Sequence, residues 1–193
     1  IYTNRTGIPT MRSMVLEYTA DKNCSYLDKQ YMLGDSLLVA PIFNDEGIGE
    51  YYLPEGTWTD FLTGQVQEGG KWYSGKYDYL SLPMMVKECS IIALGARDDR
   101  PDYDYADGVE LRVYELHNGA SAERTVYGMD NQAELTIKAS RHAGAITLDV
   151  TAGKPYTVRL VNVRALSADG ADIRIEGNDT IVTPKADHMT VNC

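Results

Sequence analysis

Along this 193-residue chain the spacing of apolar positions changes character twice. From Thr10 to Tyr18, Met11, Met14, Val15 and Leu16 place apolar side chains on both faces of an extended segment. Strands buried on both faces read this way, and they belong to parallel sheets covered by helices. No βαβ unit follows, so the pattern predicts a strand separated from its sheet. Between Ser25 and Gly34 the spacing of Leu27, Tyr31 and Met32 predicts a helix. Ser25 would cap it, with Asp28 near its N-terminal end and Gly34 as a left-handed stop. Two turns are marginal alone, so this helix is expected to pack on a larger body.

From Leu37 the texture becomes short β segments with turn punctuation. Leu37–Ile42, Gly49–Pro54, Thr57–Leu62, Lys71–Gly75, Tyr77–Val86 and Ser90–Gly95 predict strands, with a turn at Pro54-Glu55-Gly56. They describe a small antiparallel module. The charged stretch from Ala96 to Gly108 reads as a boundary loop. Beyond it the alternation is cleaner, through Val109–Val113, Leu135–Ala139, Ile146–Val150 and Tyr156–Leu160. Turn signals fall at Asn118-Gly119, Gly153-Lys154-Pro155, Asp169-Gly170 and Gly177-Asn178. That is the pattern of a β-sandwich with one wet face per sheet. The expectation is therefore a mainly β chain: a leading strand and helix over 1–34, an antiparallel sandwich over 35–97 and a second over 98–193.

Composition narrows the class. The net charge is −10 with no basic stripe, which argues against nucleic acid and anionic membranes as partners. No apolar run is long enough to span a bilayer. Cys24, Cys89 and Cys193 are widely spaced and odd in number, which predicts free thiols in a reducing, cytoplasmic setting, with a single disulfide left open. The opening at Ile1 carries neither an initiator Met nor a signal peptide and is expected to continue from a preceding segment.

The search for chemistry leaves no catalytic, cofactor or metal residue assigned. Gly47-Ile48-Gly49 lacks the third glycine of a dinucleotide turn, and His117, His142 and His188 stand singly. Asp102, Asp104 and Asp107 hint at a calcium loop, but Ala106 and Asp107 occupy the places where that motif needs an oxygen ligand and a glycine. A glycosidase needs two carboxyl groups flanking the scissile bond. Asp35, Asp45, Glu46 and Asp60 qualify by residue type, yet they sit in turns with no sugar subsite around them. Arg12 and Glu17 read as a structural ion pair. Trp58, Trp72, Tyr73, Tyr77 and Tyr79 crowd the first module as core, as an inter-domain contact or as a sugar platform.

Three blocks carry a resemblance. Residues 28–41, DKQYMLGDSLLVAP, are similar to the segment leaving the catalytic barrel in glycoside hydrolase family 31. Residues 52–60, YLPEGTWTD, resemble that family's proximal-sandwich hairpin, and residues 82–95, LPMMVKECSIIALG, its closing strand. MRSMVLEY upstream resembles the last barrel strand. Lys87-Glu88-Cys89 and Ala93, with Arg100-Pro101-Asp102-Tyr103, lean toward the α-xylosidase branch.

The resemblance implies that residues 1–34 are a remnant of the last strand and helix of a (β/α)8 barrel, with proximal and distal sandwiches after it. It implies a parent that hydrolyses α-xylosides or α-glucosides with retention, through two aspartates that match nothing here, so this chain alone is expected to be inactive. The implied partners are the catalytic barrel of the same polypeptide and, through it, an α-glycoside. Met11, Met14, Val15, Leu16, Leu27 and Tyr31 would then face that barrel. Cut free, residues 1–33 are expected to be disordered, folded over a sandwich or paired with a second copy, and dispensable for both sandwiches. An independent carbohydrate-binding module and a structural β-sandwich protein are the alternatives. Coplanar, exposed Trp58 and Trp72 would favour the binding module, and two buried rings would favour support.

Overall fold

The computed structural model describes residues 1–193, which divide into two compact units, Ile1–Glu88 and Cys89–Cys193. The first opens with a short helix α1 (Tyr2–Thr6), strand β1 (Met11–Ser13), a single turn α2 (Met14–Glu17) and a 3-10 turn (Lys22–Tyr26). Asp21 caps the 3-10 turn by accepting from Asn23 N–H at 3.0 Å. Then come β2 (Tyr31–Leu33), β3 (Leu37–Val39), β4 (Ile48–Leu53), β5 (Thr57–Asp60), β6 (Val66–Glu68), β7 (Lys71–Lys76) and β8 (Met84–Lys87). Six of these strands form a sheet in the order β1-β2-β3-β8-β5-β6, while β4 and β7 pair as a separate ribbon.

Side-chain alternation explains the core. Arg12, Met32, Leu38 and Met85 follow one another in register across four strands, and all four are buried. Met32, Leu38 and Met85 join Trp58 from the same sheet and Tyr51, Tyr52 and Leu53 from the ribbon in one cluster with Met14 and Cys24. Trp58 is fully buried and its indole N–H donates to the Pro54 carbonyl at 2.8 Å, which satisfies its single donor. Gly49 and Gly75 face each other across the ribbon because the Tyr77 ring lies there; a Cβ at either position would meet it at 2.9 or 3.2 Å.

The second unit holds β9 (Ser90–Leu94), β10 (Val109–Tyr114), β11 (Ser121–Tyr127), β12 (Ala133–His142), β13 (Ala145–Ala152), β14 (Tyr156–Leu160), β15 (Ser167–Asp169), β16 (Ala171–Glu176), β17 (Asp179–Pro184) and β18 (His188–Asn192). They form two five-stranded sheets, ordered β16-β17-β14-β10-β9 and β11-β12-β13-β18-β15. Leu111, Val113, Val158, Leu160 and Val182 from one meet Leu135, Ile137, Leu148, Val150, Met189 and Val191 from the other in a single apolar core. On the outer face, Arg112 and Arg159 lie opposite each other in register. Their repulsion is offset by Glu110, which accepts from Arg112 at 2.6 Å and from Arg159 at 3.3 Å, and by Glu176 and Asp179, which also bind Arg159. No helix is long and apolar enough to cross a membrane.

The mainly β, sandwich-building reading holds, with these corrections. Ser25–Gly34 is not a helix: it runs from the end of the 3-10 turn into β2, and Gly34 (φ 68°) turns the chain into β3 rather than ending a helix. Thr10–Tyr18 is not one strand, and β1 is not separated from its sheet, since it pairs antiparallel with β2. Residues 1–34 are in the same compact unit as 35–88. The unit boundary falls at Glu88/Cys89 rather than 97/98, because β9 pairs with β10. The second sandwich is not wholly antiparallel either: β10 and β14 run parallel.

Candidate functional site

The carboxylates selected by residue type separate into turn-formers and surface groups. Asp60 accepts from the backbone N–H of Leu62 at 2.9 Å and of Thr63 at 2.7 Å, closing the turn after β5. Asp35 accepts from the Ser36 hydroxyl at 2.8 Å in the β2–β3 turn. Asp45 and Glu46 are exposed in the loop before β4. Arg12 and Glu17 do pair, at 3.3 Å, and the guanidinium also donates to the Pro9 carbonyl and lies over the Tyr2 ring.

The acidic loop is tied down by protein groups. Asp104 binds the Lys154 ammonium at 2.7 Å and accepts from Ala106 N–H, while Lys154 also reaches Glu134. A calcium ion there would have to displace that ammonium. Lys154 holds the Asp104 carboxyl below its usual range. No cluster of three or more His, Cys, Asp or Glu side chains is arranged to hold a metal ion. His188 pairs with Asp149 at 2.6 Å on the surface. The cysteines are free; burial pushes the Cys24 thiol up to about 11, with Asp21 adding to the effect.

The aromatic set splits. Trp58 is core, Tyr51 and Tyr73 stack at 5.7 Å, and Tyr77 is partly buried with its hydroxyl pushed upward by desolvation. Trp72 is different. It lies opposite Tyr52 on the ribbon, tilted 49° against it at 5.5 Å, and 57% of it is exposed. Tyr52 is held from behind by Asp21, which accepts from its hydroxyl at 2.8 Å, and by Gln30, whose amide bonds both backbone groups of Tyr52. Beside this ribbon face an open groove of about 400 Å³ is lined by Lys29, Phe43, Glu46, Ile48 and Glu50 among others. Lys29, Phe43 and Glu50 were not among the sequence candidates. Their signal was weak: the alternation Ile48, Glu50, Tyr52 puts Glu50 on the Trp72 face, but Lys29 and Phe43 arrive there through loops.

The second surface feature is apolar. Met11 and Leu33 are register partners on the side of the six-stranded sheet opposite Arg12 and Met32, and they are 61% and 38% exposed. Ile8, Val15 and Leu16 are exposed nearby in sequence. Met14, in contrast, is fully buried and Leu27 packs against the core, so the expected barrel-facing set is divided between this unit's interior and its surface.

Comparison with known proteins decides the family. The model of the glycosyl hydrolase family 31 C-terminal domain matches residues 7–92, and that of the C-terminal domain of the α-xylosidase YicI matches residues 104–193. The chain belongs to glycoside hydrolase family 31. Among family 31 relatives, the α-xylosidase XylQ of Lactiplantibacillus pentosus is 36% identical over 180 residues, covering 91% of this chain and 22% of that protein. An α-xylosidase of Emericella nidulans is 32% identical, covering 93% of this chain and 22% of its own length. A solved cycloalternan-forming enzyme from Listeria monocytogenes superposes with a TM-score of 0.83 at 26% identity, over 99% of this chain and 21% of that one. The chain thus spans about a fifth of the length of the family 31 relatives it matches, and the match corresponds to their C-terminal domains. The first family domain begins at residue 7, so β1 and β2 fall inside it.

Proposed function

We propose that this chain is the non-catalytic C-terminal support of a retaining α-glycosidase of the α-xylosidase type, whose two catalytic aspartates lie in a barrel outside residues 1–193. The observation that carries the reading is the apolar margin at β1 and β2. A soluble body gains nothing from presenting Met11, Leu33, Val15 and Leu16 to water, and such patches mark interfaces. Burying ~400 Å² there against the barrel would contribute roughly 10 kcal/mol before ordering costs, at ~25 cal/mol per Å². The free, partly or fully buried thiols suit a reducing, cytoplasmic setting. The α-glycoside is a partner of the whole enzyme.

Two measurements test this. The isolated chain, assayed with aryl α-xylosides and α-glucosides, is expected to show no turnover, because neither leaving-group protonation nor nucleophilic attack has its carboxylate. Turnover that disappears on replacing an acidic residue within 1–193 would overturn the reading. In the full-length enzyme, Met11→Asp with Leu16→Asp is expected to lower both thermal stability and activity while leaving the isolated chain folded. Unchanged full-length behaviour would place the barrel elsewhere.

A further inference from the structure

We propose that the outer face of the β4–β7 ribbon is an oligosaccharide-binding surface, with Trp72 as its stacking platform and the adjacent groove as its polar arm. The proposal rests on the α-glycosidase reading for its ligand class, a neutral α-linked gluco- or xylo-oligosaccharide. Trp72 supplies the first requirement. Its ring is exposed, yet it is braced against Tyr52, which is locked by Asp21 and Gln30. A rigid, half-exposed indole presents a flat apolar face to the C–H face of a sugar at small entropic cost.

The groove supplies the second. The Lys29, Glu46 and Glu50 side chains line it without a hydrogen bond or ion pair inside the protein. Vicinal hydroxyls offer donors to the carboxylates and acceptors to the ammonium. The two parts are neighbours by register. Glu50 pairs with Ser74, so Trp72 is its diagonal neighbour on the same face, and such neighbours lie roughly 7–8 Å apart. A ring stacked on Trp72 would therefore deliver the next ring to Glu50, with Phe43 and Ile48 as the apolar floor. Apolar walls with a few convergent polar groups are the general make-up of small-molecule sites.

The chain's two tryptophans make the test clean, since Trp58 is fully buried and Trp72 is not. The 193-residue chain is titrated with maltotriose and with isomaltotriose while its two indole N–H resonances are followed. One resonance is expected to move saturably with at least one sugar and the other to stay fixed. Trp72→Phe should remove the moving resonance, and Glu50→Gln should weaken the saturable response to the sugar several-fold. Trp72→Ala should abolish binding. Three results would overturn the proposal: neither indole responding up to the solubility limit of both sugars, the Trp58 resonance moving instead, or Trp72→Ala binding as the wild type does. Because Met11 and Leu16 are tested separately in the full-length enzyme, a failure here is distinguishable from a failure of the support reading.

Discussion

Replacing Gln30 is expected to cost the first unit more than its size implies, and the order of two variants carries the argument. Gln30 is 4% exposed; its Nε2 donates to the Tyr52 carbonyl and its Oε1 accepts from the Tyr52 N–H, both at 2.8 Å. The β4–β7 ribbon has two strands, so β4 has no second neighbour to pair these groups, and the glutamine amide takes a neighbour's place. Gln30→Leu keeps the bulk and removes both partners. A buried backbone group left unsatisfied costs about 1–3 kcal/mol, so the pair costs roughly 2–6 kcal/mol. Gln30→Ala loses the same bonds but opens space for water to replace them, and is expected to cost about 2 kcal/mol less than Gln30→Leu. Both tryptophans lie in the first unit. Urea unfolding followed by tryptophan emission therefore reports that unit alone, and a shifted midpoint at constant slope gives the loss. A Gln30→Leu variant within about 0.5 kcal/mol of wild type, or one more stable than Gln30→Ala, would refute the view that Tyr52 depends on this amide.

Two further outcomes follow from the same packing. Deleting residues 1–33 is expected to unfold the first unit and spare the second, because Met14, Cys24 and Met32 are fully or almost fully buried in its core. Their loss removes several kcal/mol of burial at about 1.5–3 kcal/mol per large apolar side chain. Trp58 emission should shift to that of an exposed indole while far-ultraviolet β signal persists, and a native emission spectrum would contradict the assignment. Lys154→Met should destabilise the second unit in a pH-dependent way. Asp104 is held below its unfolded value, so its contribution is present above the ordinary carboxylate range and lost as pH falls through the folded value. Lys154 is held above its own unfolded value, so its contribution is present below the ordinary lysine range and lost as pH rises through the folded one. The stability gap between wild type and variant should be widest between about pH 5 and pH 9 and shrink toward both ends. A gap independent of pH would sink the ion-pair explanation.

The parts of the fold legible in the sequence are those where one face is wet. In β12, β13 and β14, Leu135, Ile137, Leu148, Val150, Val158 and Leu160 alternate with polar residues, and burial follows the alternation. Alternation is blind to strand direction and to partner, however. It shows neither that β10 and β14 run parallel nor that β9 leaves the first unit for the second. In β11 the period is hidden because Arg124 is partly buried, its guanidinium donating to the Ile91 carbonyl at 2.9 Å. The segment before β3 misleads for another reason. Tyr31 and Met32 follow Leu27 at four and five residues, a spacing that suits a helix and equally a turn feeding a strand, and a left-handed glycine at 34 ends either one. Of the groove, only Glu46 was drawn from the sequence as a candidate, a carboxylate in a turn; Glu50 follows from the alternation of β4, while Lys29 and Phe43 reach the groove through loops that periodicity does not describe.

The placement of β18 bears on how the second unit comes into being. That strand holds residues 188–192, yet it sits inside its sheet, between β13 and β15, with Met189 and Val191 fully buried. During synthesis the ribosome delivers β13 long before β18, so the edge of β13 waits uncovered until β18 clears the exit tunnel. The second sandwich cannot be assembled progressively as it emerges. Removing residues 188–192 would take out an inner stave of this sheet rather than a loose end, and would leave β13 and β15 without the neighbour they share.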